Sequence, residues 1–152
     1  MHDPAHMPGH LIRRLQQIAV AVYYAETDNA GIDLTPVQYA AMATLLDVGE
    51  IDQITLAGLI AYDRSTIAGV IDRLVQKGYV ERQVSPTDRR ARILHLTETG
   101  RQILAHAKPH VEKAQQNMLM GLEENEKEQF LGLLNKIIAA GNDQSRAPMR
   151  KD

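Results

Sequence analysis

The sequence predicts a mainly α-helical fold with one small β-hairpin. Three observations carry that reading: apolar residues recur at helical spacing along most of the chain, capping residues punctuate those runs, and two β-rich segments bracket an arginine-bearing turn. The first helix is traced by Leu11, Leu15, Ile18, Ala19 and Val22 and fades near Asp28-Asn29-Ala30-Gly31. The second begins at Thr35-Pro36-Val37-Gln38. There threonine caps, proline occupies the first helical position where no amide partner is needed, and glutamine completes a capping box. Tyr39, Met42, Ala43, Leu45 and Leu46 form its apolar side and Gly49 ends it. An extended piece from Asp52 to Ile54 leads to Thr55, the expected cap of a short helix over Leu56 to Ala61.

A further helix opens at Asp63-Arg64-Ser65-Thr66, with Asp63 suited to accept from otherwise unpaired backbone amides. Ile67, Val70, Ile71 and Leu74 follow the i, i+3, i+4, i+7 rule, so one stripe is buried. The opposite face carries Arg64, Ser65, Thr66, Ala68, Gly69 and Arg73, which are small, polar or cationic. Lys77-Gly78 closes this helix, glycine fitting the left-handed position after the last turn. Strands are expected over Tyr79 to Val84 and Arg92 to Leu96. Between them Ser85-Pro86-Thr87-Asp88-Arg89-Arg90-Ala91 forms a proline-initiated turn with two adjacent guanidinium groups. Thr97-Glu98 then caps a long helix whose stripe is Ile103, Leu104, Ala107, Val111, Ala114, Met118 and Leu122, with Pro109 expected to bend it. A last helix carries Phe130, Leu133, Leu134, Ile137 and Ile138 before Gly141, and order is expected to fade from Asn142 onward.

A small-faced helix beside a cationic hairpin is the outline of a winged helix-turn-helix, which sets a helix in the major groove of double-stranded DNA. Bulk charge would not suggest this partner, since the net charge of the 152 residues is only −2. The distribution does: residues 64–92 hold seven basic side chains against three acidic ones, a localised electrostatic footprint. The absence of cysteine excludes disulfides, thiolate metal sites and cysteine-based peroxide sensing. No apolar run approaches the roughly 20 residues of a membrane span. The start Met1-His2-Asp3-Pro4 lacks the basic and apolar segments of a signal peptide, so a soluble, cytoplasmic protein is expected.

The chain therefore divides into an N-terminal dimerisation helix within residues 1–34, a DNA-binding lobe over 35–96, C-terminal dimerisation helices over 97–147 and a disordered tail over 148–152. The outer helices lie outside the lobe, so their stripes are expected to bury against one another and against a second copy. A two-fold dimer would read a pseudo-palindrome with half-sites about 34–36 Å apart.

Asp63-Arg64-Ser65-Thr66-Ile67, Asp72-Arg73-Leu74 and Lys77-Gly78-Tyr79-Val80 resemble the recognition helix of the MarR family of bacterial transcription regulators. The likeness continues through the turn from Ser85 to Ala91 and Leu96-Thr97-Glu98-Thr99-Gly100, with Leu34-Thr35-Pro36-Val37-Gln38 upstream. The resemblance implies an obligate homodimer of triangular outline. It also implies repression of a nearby operon, relieved when a small molecule binds between the DNA-binding lobe and the dimerisation helices. It assigns Asp88 and Arg90 the family's wing pair, in which the arginine enters the minor groove where negative potential is concentrated. Asp88 can set its approach through a charge-assisted hydrogen bond. One departure is Ala68-Gly69, where many relatives carry a larger polar or basic pair. Base reading then shifts toward Arg64, Ser65 and Thr66 or a methyl contact from Ala68, unless Gly69 simply permits close helix packing. Gly9-His10-Leu11-Ile12-Arg13-Arg14-Leu15-Gln16-Gln17 resembles the subset of the family that governs aromatic-acid catabolism.

For an effector, Arg14 and His10 lie one turn apart on one helical face, and a guanidinium fork matches a carboxylate. Tyr39 could add a hydroxyl and a ring edge, or be ordinary core. A small aromatic carboxylate is the expected ligand, with no cofactor. His2, His6 and His10, and the pair His106 and His110, have spacings that can hold zinc, so a metal-responsive regulator is an alternative. An architectural DNA-binding protein without ligand is another. No phosphate loop, nucleophile elbow or metal-hydrolase helix is present, so no enzyme is expected and no catalytic residue is assigned.

Overall fold

A computed structural model describes residues 3–151. After a 3-10 turn at Pro4–His6, the order is α1 (Pro8–Asn29), α2 (Pro36–Val48), β1 (Ile51–Asp52), α3 (Gln53–Leu59), α4 (Arg64–Gln76), β2 (Val80–Val84), β3 (Arg92–Leu96), α5 (Glu98–Met118) and α6 (Glu124–Gly141). The strands form one antiparallel sheet in the order β1-β3-β2. Val80 faces Leu96 and Val84 faces Arg92, so the hairpin closes around the arginine-bearing turn.

The local signals act as their chemistry requires. Thr35 and Gln38 exchange the two bonds of a capping box, Thr35 N–H to Gln38 Oε1 at 3.0 Å and Gln38 N–H to Thr35 Oγ1 at 3.2 Å. Asp63 caps α4 by accepting from the Thr66 amide at 2.8 Å, and Gly78 takes φ +75° after it. The start of α3 departs from the sequence expectation. Asp52, not Thr55, is its cap, accepting from the Thr55 amide at 2.8 Å and the Thr55 hydroxyl at 2.6 Å. The extended piece is shorter for the same reason: Ile51 and Asp52 pair with Leu94 and Ile93, and this third strand ends where the cap begins.

One core fills the lobe. Leu34, Met42 and Leu45 from α1–α2, Leu56 from α3, Ile67, Ile71 and Leu74 from α4, and Val80 and Leu94 from the hairpin are all fully buried. α5 joins it through Leu104 and Ala107, continues through Pro109 as one helix, and packs chiefly on α1. Val111 and Ala114 are buried on that same helix, so this part of the stripe is satisfied within one chain. Leu122, which periodicity places at the end of the stripe, lies beyond the helix.

By contrast, α6 buries none of its residues, and among the described residues it packs chiefly against the turn that follows it. Leu131, Leu133, Ile137 and Ile138 stay exposed, as do Leu11, Ile12 and Ile18 on α1. The tail also differs from the sequence expectation of disorder. A 3-10 turn spans Asn142–Gln144, and segments to Arg150 bond back to the lobe. Composition favours disorder here, but an asparagine side chain and two arginines find specific partners. Asp152, part of that expected tail, lies outside the described residues. Among the described residues no single helix is long and apolar enough to cross a membrane.

Candidate nucleic-acid interface

The face of α4 opposite its buried stripe is open. Arg64, Ser65, Thr66, Gly69 and Arg73 are exposed and Ala68 is half-buried. A Cβ built on Gly69 would meet no atom within 4 Å, so this glycine serves no close packing and leaves a shallow place on the face. The Asp63 carboxylate holds the front of the helix. Besides the Thr66 amide it accepts from the Ser65 hydroxyl at 2.7 Å and from Arg146 Nη2 at 2.9 Å. These bonds, the Thr66 amide first, lower its pKa to about 2.

The wing is built by Ser85, one of the few buried polar side chains. Its hydroxyl accepts from the Thr87 and Asp88 amides, each at 3.3 Å, while its own amide donates to the Ala91 carbonyl at 3.1 Å. Asp88 then accepts from the Arg90 amide at 3.0 Å and stands 3.5 Å from Arg90 Nε. The Arg90 side chain is 93% exposed, so Asp88 orients it without covering it. Arg92 braces the loop from behind, donating from Nη1 to the Arg89 carbonyl at 3.0 Å.

Helix and wing are tied by a pair that sequence reasoning missed, Asp72 on α4 and Arg82 on β2 at 2.6 Å. Nothing in a linear reading joins these residues, because they meet only once β2 folds back along α4. A pattern follows. Asp63, Asp72 and Asp88 are each held by an arginine, while Glu81 on β2 pairs with His95 at 2.8 Å. Arg64, Arg73 and Arg89 form no ion pair among the described residues. Exposed pairs of this kind contribute little to stability, at about 0–1 kcal/mol, so their effect is to position and to cancel negative charge. Lys77, one of the seven basic residues of this stretch, has a structural partner instead: its ammonium donates to the Asp33 carbonyl at 2.6 Å, fixing the end of α4 to the loop before α2.

The proposed effector residues sit elsewhere. Tyr39 is half-buried against the core, and its phenol pKa is raised by burial and then by the negative charge of Glu112. Arg14 is exposed and forms no ion pair among the described residues. His10 lies beside Arg13, Nδ1 to Nη2 at 3.5 Å, and Arg13 also donates to Gln17 at 3.1 Å. The clefts along α3–α4, at the α5–α6 turn and beside β2 are lined by other residues. Of the histidines, His6 bonds Asp3 at 2.9 Å, and the His106 and His110 rings meet edge to face with centroids 5.7 Å apart. His2 lies outside the described residues. Among the described residues no three His, Asp or Glu side chains gather as a metal would require.

Comparison with known proteins finds relatives of this sequence and fold. The model of the MarR family matches residues 34–91, the lobe from the α2 cap to the wing. The transcriptional regulator HosA of Escherichia coli O111:H- is 33% identical over 131 residues, covering 86% of this chain and 94% of that protein. Two solved structures superpose along most of their length. BpsR of Bordetella bronchiseptica, whose DNA binding is regulated by 6-hydroxynicotinic acid, gives a TM-score of 0.84 at 28% identity, covering 90% of this chain and 96% of that one. The repressor CouR, bound to a 23-mer DNA duplex, gives 0.81 at 27% identity, covering 90% and 96%.

Proposed function

Because this chain belongs to the MarR family of DNA-binding transcriptional regulators, we propose that it is a homodimeric repressor released from its operator by a small aromatic carboxylate. It works in the cytoplasm, as a regulator and not as an enzyme. The observation that carries the reading is the open, cation-bearing face of α4 beside the exposed Arg89-Arg90 turn, with the Asp72–Arg82 pair helping to set the two relative to one another. Arg64, Ser65 and Thr66 read base edges in the major groove, with Ala68, Gly69 and Arg73 beside them, while Arg90 enters the adjacent minor groove. Asp88 and Arg89 complete the wing. The apolar face of α6 and the outer face of α1 are the surfaces a second copy covers, which sets the two lobes on a two-fold axis and makes the site a pseudo-palindrome.

Arg90→Ala is expected to weaken operator binding by about 1–3 kcal/mol, because a minor-groove anchor and a positive charge are removed. Fluorescence anisotropy at fixed salt, with duplex from the region upstream of the chain's own gene, reads this directly. Affinity equal to the parent's would remove the wing from the interface.

For the effector, Arg14 pairs with the carboxylate, His10 donates a further hydrogen bond, and Tyr39 bonds to or packs against the ring. Support comes from the BpsR likeness, from an Arg14 free of ion pairs among the described residues, and from the half-buried Tyr39 phenol, a hydroxyl donor set against the apolar core. The site lies beside the outer face of α1, so a second copy would help enclose it. Release by a factor of 10 to 100 needs about 1.4–2.8 kcal/mol of unequal affinity for the DNA-competent and DNA-incompetent lobe spacings. Arg14→Ala is expected to keep DNA binding and lose the response. Calorimetry with benzoate, cinnamate and nicotinate analogues checks it: an Arg14→Ala protein that binds the active acid as tightly as the parent overturns this pocket.

A further inference from the structure

The tail does not end at the dimerisation helix. Asn142 brackets Met149 with both atoms of its side-chain amide, donating to the Met149 carbonyl at 3.1 Å and accepting from its amide at 2.8 Å. This closes a compact loop, tightened by the Ser145 hydroxyl accepting from the Ala147 amide at 3.2 Å. The chain then docks on the helix-turn-helix, the Arg150 amide donating to the Gly58 carbonyl at 2.9 Å. Gly58 is what permits the approach, since a Cβ there would stand 3.2 Å from the Arg150 Cβ. At the other side of the loop Arg146 grips Asp63 at the front of α4.

The docked tail changes the electrostatics of the lobe. Arg146 and Arg150 line one crevice with Arg64 at the junction of α3 and α4, and Lys151 follows directly. Arg146 remains 88% exposed even while paired, so its remaining donors face solvent. The tail borders the reading face without covering it, because Arg64, Ser65, Thr66, Gly69 and Arg73 all stay exposed. The front of a recognition helix is the end that meets the base edges, and phosphates rise on either side of the groove it enters. Cations fixed beside that end therefore lie where a duplex backbone passes.

We propose that the C-terminal tail is a second DNA-contacting arm, in which Arg146, Arg150 and Lys151 bind backbone phosphates flanking the half-site read by α4. This rests on the DNA-binding reading above. Phosphate binding of this type carries affinity and position but no sequence information. It also releases counterions, so each cation withdrawn from a phosphate takes about 0.9 from the slope of log affinity against log salt.

The test is the variant carrying Arg146→Gln, Arg150→Gln and Lys151→Gln, titrated across a salt series with the labelled upstream duplex and with a duplex of scrambled sequence. All three side chains are on the surface, and a melting curve confirms that the dimer is intact. The expected result is binding about tenfold weaker or more at moderate salt on both duplexes, with the salt slope shallower by about 2 or more. Gly58→Ala keeps every charge and asks the tail to give by only a few tenths of an ångström, so it is the control and is expected to bind both duplexes as the parent does. Unchanged affinity and slope in the triple variant would overturn the proposal. So would weaker binding at an unchanged slope, which would make the tail only a brace for Asp63, or tighter binding, which would make it a shield. A parent protein that binds neither duplex would instead bring down the DNA-binding reading itself, and this arm with it.

Discussion

Gly100→Ala is expected to lose about 3 kcal/mol of stability or more, at or beyond the upper end of ordinary overpacking. Gly100 is buried in the first turn of α5, where its amide donates to the Thr97 cap at 3.0 Å. A Cβ at this position would fall inside the van der Waals envelope of the Tyr79 carbonyl oxygen, with the Tyr79 carbonyl carbon at 3.0 Å and its Cα at 3.1 Å. The obstruction is backbone, and it is pinned. The Tyr79 carbonyl accepts from the Thr97 amide at 3.1 Å, and the Thr97 hydroxyl donates to the Gly78 carbonyl at 2.6 Å. Relief therefore requires α5 to lift from the turn between α4 and β2, loosening Leu96 and Leu104 together. For a chain of this size that loss corresponds to a melting point lower by roughly 6–12 °C. Gly69→Ala is the control, because its Cβ meets nothing within 4 Å and alanine is favoured over glycine in a helix by roughly 0.5–1 kcal/mol. Equal melting points for Gly100→Ala and the parent would mean that α5 does not approach Tyr79 this closely.

Thr97 and Gly100 also illustrate what a sequence can and cannot disclose. The cap was legible because a threonine at a helix start acts on amides two or three residues away. The reason for glycine three positions on was not, since Tyr79 is its obstacle and sits across a hairpin. The same division holds elsewhere. Thr35 with Gln38, Asp63 and Gly78 are local devices and behave as read. The start of α3 is not legible locally, because Asp52 and Thr55 are both capping types and β1, which pairs with Leu94 and Ile93, ends at Asp52. Periodicity located the open face of α4 and the turn chemistry located the wing. The Asp72–Arg82 tie and the buried Ser85 that shapes the loop needed the fold. The proposed effector residues are the least legible, since Arg14 lies on an exposed face of α1 and His10 is half-exposed beside it. For the tail, composition argued for disorder while three specific side chains, Asn142, Arg146 and Asp63, argued for order.

Apolar stripes themselves were visible in the sequence, but not what buries them, and here the second large effect arises. Ile137→Glu is expected to convert the protein from dimer to folded monomer. Ile137 is 65% exposed and Leu133 62% exposed on α6, with Leu131 and Ile138 beside them, an apolar face that no helix covers among the described residues. Full burial of one such side chain contributes about 1.5–3 kcal/mol. In the proposed two-fold interface the variant would forfeit that at both copies and leave two carboxylates without partners, each costing several kcal/mol if still enclosed. Dissociation is the cheaper outcome, and the lobe core contains no residue of α6, so the monomer should keep its secondary structure. Val111→Glu should behave otherwise. Val111 is only 6% exposed on α5, whose main packing partner is α1 of the same chain, so a charge there unfolds the protein instead of parting two copies. Light scattering and circular dichroism separate the two results, and the Ile137→Glu monomer should also bind the operator far more weakly, with one half-site read at a time. A dimer that survives Ile137→Glu, or a parent chain that is monomeric at micromolar concentration, would show that α6 is not where two copies meet.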